Sequence, residues 1–208
     1  MSLIPNHSDE PKPLTLFTIG HGNLSADDFL QLLQQHHITV LVDVRSAPYS
    51  RYVPHFNKRE LEAFLKERGV DYRFAGEYLG GRPTHPELYK QSQLPDEDTE
   101  RAKFLKLVDY EAVMQRDWYL KGIHRLLDIV REEAAKGGSV AIMCSESNPE
   151  ECHRHHLITR SLIDPRVKVV DTQVQIKHLL KHGTAQTVDP AVFERSAPSA
   201  QQLSLWGE

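Results

Sequence analysis

Ile38-Thr39-Val40-Leu41-Val42-Asp43-Val44 is the stretch whose reading decides the fold. It is an almost unbroken run of β-branched and apolar residues, so a strand made from it is buried on both faces, as in a parallel sheet covered by helices. Upstream, Leu14-Thr15-Leu16-Phe17-Thr18-Ile19 is a second such run, stopped by Gly20-His21-Gly22. Between the two, Ser25 stands as an N-cap, Asp27 and Asp28 fall in a first turn, and Phe29, Leu32 and Leu33 recur at helical spacing. Downstream, Asn57 and Glu60 make a capping-box pattern ahead of Leu61, Phe64 and Leu65, and residues 70–74 read as a short strand. Residues 79–98 are rich in Gly, Pro and charge and read as a surface excursion or lid. Helical patterns return over 104–108 and 117–135, and Gly137-Gly138 precedes a strand over 139–143. The remaining spacing predicts a helix carrying Leu157, Ile158 and Leu162, a strand over 167–170 and a last helix over 172–181. Strands alternate with helices throughout, so the expected fold class is α/β, a single domain with a mostly parallel sheet flanked by helices.

The chain has 208 residues, 39% of them hydrophobic and 26% charged, which fits a globular protein able to bury a core. Its expected divisions are a tail over 1–13, the α/β domain over 14–183, a linker over 184–200 and a terminal peptide over 201–208. A formal net charge of −4 excludes a global nucleic-acid footprint and leaves only a local patch for such binding. No apolar stretch approaches the roughly 20 residues that span a bilayer, and residues 1–13 lack the apolar middle of a signal peptide. Two cysteines make no disulfide scaffold. The expectation is a cytoplasmic protein with reduced thiols and no membrane contact.

In open parallel sheets, ligands bind outside the carboxyl ends of the strands. Polar residues from distant parts of the sequence fall there: His21 after the first strand, Asp43 and Arg45 at the end of the second, Cys144 at the end of a later one. The segment from Cys144 to His156 holds both cysteines together with His153, His155 and His156. Its chemistry could build a thiol nucleophile, a redox pair, a metal site or an anion cradle. Asn148 as N-cap, Pro149 at the first helical position and Glu151 at the capping-box position would place Cys152 in the first turn of a helix. There the unpaired N–H groups, helped by Arg154, favour a thiolate. Glu146, Glu150 and Glu151 oppose both a thiolate and a bound phosphate. A divalent metal is open on Cys144, Cys152 and His156, the last two being four residues apart on one helix face, but the tight spacing of a zinc motif is absent. Arg45 reads either as an anion clamp or as part of a structural ion pair, in which Asp43 is matched by Arg45 or by Arg154. Arginines and tyrosines interleaved over 45–82 could stack bases, or serve as a solvated face and core aromatics.

Thr18-Ile19-Gly20-His21-Gly22, Asp43-Val44-Arg45 with Pro48, Leu79-Gly80-Gly81, and Met143-Cys144-Ser145-Glu146 followed by Cys152-His153-Arg154 together resemble the DUF488 family, in order and over residues 14–180. That resemblance implies a compact, mostly bacterial and cytoplasmic α/β domain of unassigned activity. It points to His21, Glu146, Cys152 and His153 as catalytic residues and to Asp43, Arg45 and Arg154 as substrate-binding ones. The strand-end pattern is also similar to rhodanese and cysteine-phosphatase sheets, but the Cys144-to-Arg154 loop is longer than theirs and acidic. At the far end, Gln202-Leu203-Ser204-Leu205-Trp206 resembles the pentapeptide by which bacterial repair and replication proteins dock on the sliding clamp. The likeness implies Gln202, Leu203, Leu205 and Trp206 as partner-binding residues on a flexible linker.

Three functional readings follow. One is an enzyme acting on DNA, nucleotides or another anionic substrate and recruited to the clamp. The others are a non-catalytic nucleotide- or protein-binding adaptor, and a thiol- or metal-dependent protein unconnected to DNA.

Overall fold

The computed structural model describes residues 13–96 and 101–195. The first strand, β1 (Leu14–Gly20), leads into α1 (Ala26–Gln35) and β2 (Ile38–Asp43). Ser25 caps α1 as expected, its hydroxyl accepting from the Asp28 amide at 3.1 Å, an interaction of about 1 kcal/mol. Then come α2 (Lys58–Lys66), β3 (Asp71–Phe74), α3 (Gly76–Leu79), α4 (Arg101–Leu107), α5 (Tyr110–Met114) and α6 (Asp117–Ala135). Asn57 stands at the start of α2 but does not cap it through its side chain; its Oδ1 accepts from the Ser50 amide, pinning the preceding loop. The last strand of the central group, β4 (Ser139–Cys144), is followed by a single 3-10 turn (Pro149–Glu151), a π-helical turn (Arg154–Thr159) and α7 (Arg160–Ile163). The chain continues through β5 (Val174–Leu179), β6 (Ala185–Thr187) and α8 (Ala191–Arg195).

The six strands form one sheet in the order β3-β2-β4-β1-β5-β6, parallel except for β6. Strand alternation divides the core. Leu16, Val40, Val42, Val140 and Ile142 face α6 and the residues of the π turn. Phe17, Ile19, Leu41, Ala141 and Met143 face Phe29 and Leu33 of α1 and Leu61 and Leu65 of α2. Helices therefore cover both faces, which is why the central strands read as continuous apolar runs. No helix among the described residues is long and apolar enough to cross a membrane.

The structure also departs from the sequence reading further along the chain. Residues 167–170 form no strand. Instead Asp164, fully buried, gathers Arg160 and Arg166 and closes a turn through the Val167 amide. Residues 174–179 form a strand rather than a helix, because β1 offers a free ladder edge and takes Val174 to Leu179 in parallel register with Leu14 to Ile19. The expected linker over 184–200 holds β6 and α8, whose Phe193 is buried in the core. The excursion over 79–98 is anchored where it is described: Leu88 and Tyr89 are buried, and Tyr89 bridges to Val108. Residues 1–12, 97–100 and 196–208, and with them the clamp-like peptide, lie outside the described residues.

Candidate functional site

β1 and β4 are neighbours whose onward connections run to opposite sides of the sheet, to β2 and to β5. That is the topological switch at which parallel sheets open a crevice. Next to it, at the carboxyl ends of the paired strands β2 and β4, lies a cleft of about 80 Å³ lined by Arg45, Cys144, Cys152 and His153. Ser145, Glu146 and Glu151 also line it, as do Gly81, Arg82, Phe104 and Tyr110, from the excursion and the helices after it.

Cys144 ends β4 and is buried, and Cys152 is buried beside it. Cys152 does not occupy a helical first turn. Asn148 caps only the 3-10 turn, through the Glu150 amide, after which Cys152 is extended (φ −137°, ψ 144°). That extended residue turns its sulfur back toward Cys144. His153 completes the group: its Nε2 donates to the Val44 carbonyl at 3.0 Å. A carbonyl only accepts, so Nε2 carries a proton; in the neutral ring the lone pair is then on Nδ1, which faces the sulfurs. Nδ1 lies 3.5 Å from Cys144 Sγ and 3.7 Å from Cys152 Sγ. All three ligand atoms fall within 4.8 Å of one another.

The two thiols titrate as a pair. Cys144 is held well below the ordinary thiol range, first because Cys152 hydrogen-bonds to it, and also through His153 and Arg154. Burial, reinforced by Cys144, pushes Cys152 well above that range.

Asp43 and Arg45 form the ion pair that was one of two readings for them. Arg45 Nε donates to both Asp43 oxygens at 2.9 and 3.1 Å, and its Nη2 donates to Oδ2 at 2.6 Å. Tyr72, not anticipated from sequence, adds its hydroxyl to the same carboxylate at 2.6 Å. The remaining guanidinium contacts reach the Phe56 carbonyl and His21 Nε2. His21 in turn donates from Nδ1 to the Gly22 carbonyl and stacks on Phe56, with ring centroids 4.3 Å apart. Burial, then the Arg45 charge, pushes His21 down to about 4, so it is neutral at pH 7.

Arg154 is buried under the crevice rather than exposed in it. Its Nη1 donates to the Glu146 carbonyl and its Nη2 to the Ser147 carbonyl, holding the loop after β4. This loop also explains Gly20: a Cβ there would meet the Glu146 carbonyl oxygen at 1.8 Å. His156 does not join Cys152; its Nε2 donates to the Glu150 carbonyl at 2.6 Å. Thus Arg45, Glu146, Cys144, Cys152 and His153 share the cleft, while His21, Asp43 and Arg154 brace it from behind. Tyr110 and Gly81 belong to its lining as well; only the glycine pair at 80–81 drew attention in the sequence.

A mostly parallel α/β sheet with a dithiol and an imidazole gathered at the carboxyl ends of its strands is the class that fold and geometry define. The sequence matches the family described as Domain of unknown function DUF488 over residues 25–161, well over half of the chain, and the chain belongs to that family. No curated protein and no solved structure matches it.

Proposed function

We propose that this chain is a cysteine-centred enzyme whose reaction takes place in the cleft above Cys144, Cys152 and His153. The observation that carries this reading is the convergence of two thiols and one imidazole, its Nε2 held by the Val44 carbonyl, in a cleft at the carboxyl ends of β2 and β4. Cys144 and Cys152 carry the chemistry, His153 accepts or shares their protons through Nδ1, and Glu146 in the cleft lining is the candidate base. His21, Asp43, Arg45 and Arg154 are positioning residues: Arg45 is neutralised by Asp43, and Arg154 supports the loop. At about 80 Å³ the cleft admits only the reacting group of a larger molecule, because drug-sized ligands need roughly 300 Å³ or more. DNA, nucleotides or other anionic molecules are the proposed substrates, with the terminal peptide bringing the protein to a sliding clamp.

The test is a turnover screen over nucleotides, phosphate esters and oligonucleotides with the wild type, Cys144→Ala and His153→Ala. Activity in the wild type that disappears in both variants, with folding unchanged by circular dichroism, supports the centre; full activity in both discards it. For the tail, clamp recovery in a pull-down should fall to background when the chain ends at Ala200. Equal recovery from both lengths removes the clamp from the proposal.

A further inference from the structure

The two nitrogen–sulfur spacings in the Cys144–Cys152–His153 group are those between corners of a metal tetrahedron, and all three ligand atoms lie within 4.8 Å of one another. With zinc–sulfur bonds of about 2.3 Å and zinc–nitrogen bonds of about 2.05 Å, tetrahedral angles put ligand nitrogen and sulfur about 3.55 Å apart. His153 Nδ1 stands 3.5 and 3.7 Å from the two sulfurs. An ordinary thiol–imidazole hydrogen bond accounts for one such contact; a single lone pair aimed between two sulfurs is what a shared ion requires. We infer that Cys144, Cys152 and His153 hold one divalent, thiophilic metal ion of the zinc type, with its fourth position facing the cleft. This rests on the reading of the same three side chains as the reactive centre, and it names the group that acts there.

Three further features fit. The Val44 carbonyl takes the Nε2 proton of His153 at 3.0 Å, the outer-shell contact that orients metal-bound histidines. The ligand set of two thiolates and one imidazole suits zinc among the common divalent ions. Three protein ligands with an open fourth position is the catalytic rather than the structural pattern. The open side is bordered by Ser145, Glu146 and Glu151, where a metal-bound water would meet a carboxylate able to take its proton. On binding, M²⁺ forms two metal–sulfur bonds and one metal–nitrogen bond. Each thiol that was still protonated releases its proton to solvent, and no electron is transferred.

The experiment is cobalt(II) titration of the full-length wild-type protein, followed by absorbance. The expected result is one cobalt per chain, a sulfur-to-cobalt charge-transfer band and the strong visible bands of four-coordinate cobalt, all displaced by one equivalent of zinc. Cys152→Ser and His153→Ala should lose the four-coordinate spectrum, while His156→Ala should keep it. A folded wild type with two titratable thiols and no charge-transfer band overturns the metal site; so does loss of the spectrum in His156→Ala with retention in His153→Ala. Turnover that is lost in Cys144→Ala although no metal binds would leave the thiol reading standing without the metal. Metal binding without any Cys144-dependent turnover would separate the two in the other direction.

Discussion

Asp43 illustrates how much one carboxylate can hold at the residue scale. It is fully buried and accepts from the Arg45 amide, from the Arg45 side chain and from Tyr72. Asp43→Asn keeps the shape but leaves the Arg45 charge buried without a counter-charge. The expected loss of stability is about 3–5 kcal/mol, read from urea denaturation; a loss under about 1 kcal/mol would mean that Arg45 escapes to solvent. Gly81 is the residue that lets the excursion close on the site, because a Cβ there would come within 2.5 Å of the His153 ring. Gly81→Ala should cost about 1–3 kcal/mol by overpacking and shift the His153 ring resonances in NMR spectra. An unshifted ring would show that the 81–82 backbone, not His153, gives way. Neither residue announces these roles locally: an Asp two positions before an Arg, or a second Gly in a pair, has many uses.

At the element scale, β5 carries the clearest lesson. Val174 to Leu179 contains apolar residues at spacings compatible with either a helix or a strand, and a short run of this kind is ambiguous by periodicity. Pairing with β1 decides it, since ladder bonds to an already buried strand satisfy the backbone on that edge. Ile176, 1% exposed, packs in the core shared with α6. Ile176→Ala should therefore cost about 2–5 kcal/mol, measured as a shift of the urea midpoint. On a solvent-facing helix the same change would cost almost nothing. The segment after β4 shows the same dependence on context. A capping pattern was legible in Asn148-Pro149-Glu150-Glu151, but the turn closes after Glu151, and the chain extends at Cys152 before the π turn begins. That break sends the second sulfur toward the first.

For the whole molecule, the buried histidines set the response to acid. His155 Nδ1 lies 3.1 Å from His178 Nε2, and His178 Nδ1 lies 2.8 Å from Thr18 Oγ1, tying the π turn to β5 and β1. Burial lowers His155 to about 4 and His178 to about 3, and the charges near each add to it. An unfolded imidazole takes its proton near 6.5, so between there and about 4 the unfolded chain binds protons that the folded one refuses. These histidines thus leave stability undiminished above pH 6.5. They lower it as the pH falls, by up to about 1.4 kcal/mol per pH unit for each group while the unfolded state is protonated and the folded state is not. Urea midpoints between pH 7 and 4.5 should fall accordingly, and His178→Gln should make the slope shallower. An unchanged slope in that variant would assign the acid response to other groups.

The sequence by itself determined the α/β class, the parallel core and the region of the site. Strands buried on both faces must be apolar throughout, and their carboxyl ends bring His21, Asp43 and Cys144 to one edge of the sheet whatever the loops do. Only the tertiary structure decided which side chains meet there. His153 rather than His156 joins the cysteines because its ring is held by the carbonyl of Val44, which packing, not sequence spacing, brings within 3.0 Å. Arg45 and Arg154 become braces because their partners are buried beside them, and a buried guanidinium binds whatever acceptors the fold places within reach. Local pattern reports which face of an element is apolar; it carries no distances between elements, and the site is made of those distances.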